Sequence, residues 1–157
     1  MPATWTVDPP SRIINFKDLK SGDNYLRVVT IKNDPTSGMA IHLSWPTLSA
    51  HSDKYSIVLS SNILKPGQSS ICDIILSSSK SGNYDSLLTI TVDDGDGTVL
   101  GSINITINTL LYSNIKRVVA RFANTRYESE IWHWSTCYLD GYENGEKVYQ
   151  ISAHFKE

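Results

Sequence analysis

The chain has 157 residues and a formal net charge of -2, so one domain, or one domain with an appendage, is expected, and no whole-chain field draws it to nucleic acid or to an anionic membrane. Charged residues are 19 % of the total, below the usual quarter or so, while Ser, Thr, Ile, Val and Tyr are plentiful; this is the balance of a β-rich soluble fold. No run of eighteen apolar residues is present and the N-terminus shows no basic-then-apolar leader, which leads to the expectation of a cytoplasmic protein with reduced Cys72 and Cys137.

In chain order, the residues up to Thr6 read as a tail whose Trp5 packs on the first strand. After the Asp8-Pro9-Pro10 break, Ile13-Ile14-Asn15-Phe16 reads as a first strand, Lys20 to Asn24 as a turn and Tyr25 to Lys32 as a second strand. Asn33 to Gly38 is a loop. Met39 to Trp45 alternates, with Met39, Ile41, Leu43 and Trp45 inward and His42 outward, so Trp45 is expected in the core. Tyr55, Ile57 and Leu59 share a face of the next strand. Strands then follow at Ser69 to Leu76, Leu87 to Val92 and Thr98 to Ile107, making seven with turns about every ten residues, as a sandwich requires.

Two blocks of this pattern resemble the immunoglobulin-like domains of the hydin-type (ASH) and major sperm protein group. The first is Pro10, Phe16, Asp18-Leu19, Gly22 and Asn33. The second runs Leu64-Lys65-Pro66-Gly67-Gln68-Ser69, Ile71 with Asp73-Ile74-Ile75-Leu76, Gly82-Asn83-Tyr84, and Leu87-Leu88 with Ile90. The similarity covers about residues 5–108; Lys17 stands where many members have Gly, and Ser77-Ser78 where many have a Pro-containing strand end. What the resemblance implies is a docking or assembly unit on an all-β scaffold, a sandwich over residues 1–110.

Residues 111–157 lie beyond that likeness and read as a three-stranded β-meander packed on the sandwich or on a second copy, because so small a sheet is not stable alone. Its strands are Ile115 to Phe122, Glu130 to Leu139 and Lys147 to Phe155, with Asp140 to Gly145 as the second turn. Alternation puts Trp132, Trp134, Thr136 and Tyr138 on one face of the middle strand, and Tyr149, Ile151, Ala153 and Phe155 on one face of the last. Trp132, Trp134, Tyr138 and Tyr142 form the candidate binding set, since flat rings with a polar edge suit a protein hot spot or a sugar face, although packing within the meander competes with both.

Other candidates are weaker. Asp93-Asp94-Gly95-Asp96-Gly97 offers carboxylates to calcium but lacks the continuation and flanking helices of an EF-hand, so it reads as a hairpin turn. His133 and His154 have no ligand-spaced Cys or carboxylate, so no metal and no cofactor is expected. Lys116, Arg117, Arg121 and Arg126 read as a solvated basic face, and Asn104-Ile105-Thr106 matters as a glycosylation triplet only in a secreted chain. No nucleophile elbow, phosphate loop or HExxH pair occurs, so no enzyme is expected. The leading reading is a non-catalytic protein-binding or assembly module with a protein partner; a cytosolic carbohydrate-binding lectin and a self-associating homodimer subunit stay open.

Overall fold

The computed structural model describes residues 2–113, 115–123, 126–128, 131–133 and 136–154, with backbone alone at 116, 126–128 and 131–133. The strands are β1 (Trp5–Asp8), β2 (Ile13–Lys20), β3 (Asn24–Asn33), β4 (Ile41–Leu43), β5 (Thr47–Leu48), β6 (Tyr55–Leu59), β7 (Ile63–Leu64) and β8 (Ser69–Ser77). They continue as β9 (Gly82–Asn83), β10 (Ser86–Asp93), β11 (Val99–Tyr112), β12 (Ile115–Ala123), β13 (Arg126–Glu128), β14 (Ile131–His133), β15 (Thr136–Glu143) and β16 (Glu146–His154). A 3-10 turn, Ser52–Lys54, leads into β6.

Two sheets face each other. One has the order β1-β3-β8-β6, and the other β2-β11-β10-β4-β7, with β5 paired to β10 and β9 to β11. Their inner faces follow from strict alternation of β-branched and leucine side chains. Val29, Ile31, Cys72, Ile74 and Leu76 come from the first sheet, and Leu88, Ile90, Val92, Ile103, Ile105 and Ile107 from the second; all are buried in one core. Burying each such aliphatic side chain is worth roughly 1.5–3 kcal/mol, which is what holds two otherwise independent sheets together. Burial also pushes the Cys72 thiol up to about 11, so it serves as a small apolar filler.

The seven anticipated strands are present, with differences that have physical causes. Trp5 to Asp8 is a strand and not a tail: β1 pairs antiparallel with the end of β3, Trp5 opposite Asn33, and the Trp5 ring closes over Gly101. After the cis Asp8-Pro9 bond the chain crosses to the other sheet, where β2 runs parallel to β11. Trp45 is not core; it is 65 % exposed. The β4 alternation stops at Leu43, the Ser44 N–H bonds the Thr91 carbonyl while its hydroxyl takes the Thr91 N–H, and Pro46 takes the inward position next to Trp45. A proline cannot donate to a ladder, so the strand ends there and its parity is lost. Trp45 instead lines an open cleft of about 340 Å³ with Pro46, Leu48, Tyr55 and Ile57.

The quoted motif residues have structural tasks. Phe16 is fully buried against the Tyr55 ring, centroids 6.1 Å apart. Gly22 adopts a φ of 100° that a side chain resists. Asn33, also fully buried, ties the end of β3 to the Lys-Pro-Gly turn: its N–H donates to Gln68 O (2.9 Å) and its carbonyl accepts from Gly67 N–H (2.8 Å). Its side-chain amide donates to Met39 O (3.0 Å) and Leu64 O (2.9 Å).

Candidate interaction surface of the C-terminal sheet

β11 leads almost directly into β12, which carries the chain out of the sandwich, and β12, β15 and β16 form a three-stranded antiparallel sheet in that order. The described parts of the middle strand, β14 and β15, pair with β13 and β12 in one continuous antiparallel register: Trp132 lies opposite Tyr127, Arg126 opposite His133, and Ala123 opposite Thr136. β15 also runs on through Gly141, Tyr142 and Glu143, so the turn is only Asn144-Gly145, both at positive φ, 49° and 86°. That is the combination a two-residue hairpin of the type I′ kind demands, and it overrides the weaker Asp140-Gly141 signal.

The turn end is fastened to the sandwich. The Ser21 hydroxyl donates to the buried Glu143 carboxylate, and the Asn144 amide donates to Ser79 O (3.0 Å) and to the Ser21 hydroxyl (3.3 Å). Lys80 pairs with Glu146 at 3.2 Å. Gly22 completes the seat, for a Cβ there would stand 2.5 Å from the Asn144 side-chain oxygen.

The two faces of this sheet have opposite chemistry. One carries Arg117, Arg121, Tyr138, Asp140, Tyr142 and Gln150, which satisfy one another. The Arg121 guanidinium grips the buried Asp140 carboxylate, donates to the Gln150 side chain at 3.1 Å and lies 4.8 Å from the Tyr138 ring centre; Arg117 lies 4.3 Å from that of Tyr142. The basic stretch is therefore a stacking partner for two of the candidate aromatics. Strand pairing, which is invisible in one sequence, brings them together.

The hydrogen bond from Arg121 holds the Asp140 carboxyl below its ordinary value, and the Arg121 and Lys147 charges add to this against the effect of burial. A depressed carboxylate pKa contributes stability that is fully present above the unfolded-state value and is lost as pH falls through the folded one. Following the Asp140 carboxyl resonance through an acid titration should give a midpoint below that of an exposed aspartate; a midpoint at or above it contradicts the pairing.

The other face is apolar in three successive rows across the strands: Val118, Gly141 and Tyr149; Ala120, Leu139 and Ile151; Phe122, Cys137 and Ala153. Val118, Leu139 and Ile151 are 54 %, 40 % and 58 % exposed. Gly141 has no side chain because the Tyr149 ring lies across it, with an added Cβ only 2.0 Å from the ring. No charged residue occupies any of the nine positions.

Of the candidate binding residues, the structure brings Tyr138 and Tyr142 together on the polar face and places the Trp132 backbone in β14, opposite Tyr127 and in register with the β12–β15 pairing. The Trp132 side chain and Trp134 lie outside the described residues, as do the His133 side chain and Phe155. The apolar face was foreseen only in part, through the alternation of Tyr149, Ile151 and Ala153. In the acidic turn, Asp93 accepts the Gly95 N–H (2.7 Å) and Asp94 those of Asp96 (2.8 Å) and Thr98 (3.1 Å), so these carboxylates organise the hairpin. Among the described residues, no three His, Cys, Asp or Glu are grouped to hold a metal ion.

No family model and no curated protein matches the chain. Solved structures do. That of SSP-19, an MSP-domain protein like family member in Caenorhabditis elegans, superposes with a TM-score of 0.51 at 13 % identity, over 67 % of this chain and 98 % of that one. The sandwich has an MSP-like, immunoglobulin-like fold. The ASH / PapD-like domain 7 of human CEP192 gives a TM-score of 0.49 at 11 % identity, covering 69 % of this chain and 87 % of that one. The Vibrio cholerae VesB protease gives 0.46 at 14 %, over 69 % of this chain and 31 % of the protease.

Proposed function

We propose that this protein is a non-catalytic assembly module in which an MSP/ASH-like sandwich supports a C-terminal sheet that binds protein. Domains of this fold are generally non-catalytic interaction modules, which supports the reading at the level of class. The observation that carries it is the uncharged face formed by the Val118, Leu139 and Ile151 rows, because contiguous exposed apolar surface on a folded domain marks an interaction site. A protein surface is preferred to a sugar because the Tyr138 and Tyr142 rings already stack against Arg121 and Arg117. Sugar stacking needs an uncovered ring.

The test is a paired capture experiment, with the native chain and its Leu139→Glu variant immobilised side by side in the presence of free mono- and disaccharides. A protein retained by the native chain, lost from the variant and indifferent to sugar supports the reading. Release of glycoproteins by sugar, with Leu139→Glu binding as well as the native chain, would replace it with the lectin reading.

A further inference from the structure

We infer that the occupant of the apolar face is a second copy of this chain, seated face to face and antiparallel about a two-fold axis; this rests on the assembly reading above. The face carries no charge at its nine positions, so an identical face covers it without burying an unpaired ion, whereas a charged partner surface would strand one. The exposed fractions correspond to roughly 500 Å² per copy, hence roughly 1,000 Å² for the pair, at the threshold expected of a specific interface.

Charge and size select the orientation. Glu143 and Glu146 close one end of the sheet, where it is fastened to Ser21, Ser79 and Lys80 of the sandwich. With strands parallel, these acidic ends would meet and the two sandwiches would compete for one space. With strands antiparallel, the Leu139 row lies on its own counterpart and the outer rows exchange: large Tyr149 faces small Ala153 of the second copy, and Gly141 faces Cys137. Large against small across two facing sheets is how inner faces interdigitate. The sandwiches then sit at opposite ends of an elongated dimer.

Sedimentation of the full chain from micromolar to millimolar concentration tests this, with Leu139→Glu on the apolar face and Ser152→Glu on the other face of the same sheet. Near-UV circular dichroism reports whether each variant retains the native fold. The expected result is a reversible, elongated dimer, a dissociation constant raised about 100-fold or more by Leu139→Glu, and little change with Ser152→Glu. A monomer at every concentration overturns the second-copy assignment while the capture experiment decides the assembly reading separately. A dimer that persists in a folded Leu139→Glu variant, or is lost equally in Ser152→Glu, also overturns it, as does a compact dimer with its sandwiches side by side.

Discussion

Replacing Asn33 by alanine should lower the unfolding free energy by about 2 kcal/mol, because the buried bond to the Leu64 carbonyl is lost and the part-buried Met39 carbonyl keeps only the Ser37 hydroxyl as a side-chain donor. Each buried acceptor left unsatisfied costs about 1–3 kcal/mol, so the loss is a large part of the roughly 5–15 kcal/mol available to an ordinary domain. Asn33→Asp should be worse, since a carboxylate would face the same two carbonyl oxygens with no proton to give. Urea unfolding gives the check: the midpoint falls while the slope is unchanged. A change well below 1 kcal/mol would mean that the β3 end is held by its backbone bonds to Gly67 and Gln68 alone.

Phe16→Ala should be the most damaging single change in the sandwich, at about 3–5 kcal/mol. The ring is fully buried beside Tyr55, and the Arg27 guanidinium covers it at 5.1 Å from its centre, so truncation leaves a cavity under a charge. Phe16→Leu keeps most of the volume and should cost about 1.5 kcal/mol or less. Thermal unfolding of both variants separates the packing effect from loss of the ring. If the alanine variant were no worse than the leucine one, the cavity would have to collapse at no cost.

Period-two alternation made part of the sandwich core legible, because Ile41 and Leu43, and Tyr55 and Leu59, are buried as their spacing requires. Alternation fails where the ladder itself is interrupted, and Trp45, one residue before Pro46, is the clearest case. Short β1 was missed because four residues carry little pattern, and what makes it a strand is its partner β3. In the C-terminal sheet the turn residues Asn144-Gly145 were readable, but Arg121 with Asp140, or Gly141 beneath Tyr149, needs the register between strands. Apolar character alone likewise did not separate a face that packs inward from one that stays open.

The most direct measurement is hydroxyl-radical footprinting of side chains, made on the dilute protein and again on the assembled species. The account predicts that Val118, Leu139 and Ile151 are labelled when the protein is dilute and protected on assembly, while exposed Trp45 stays labelled in both. Protection of Trp45 with no change at Leu139 and Ile151 would contradict it and move the interaction surface to the cleft of the sandwich.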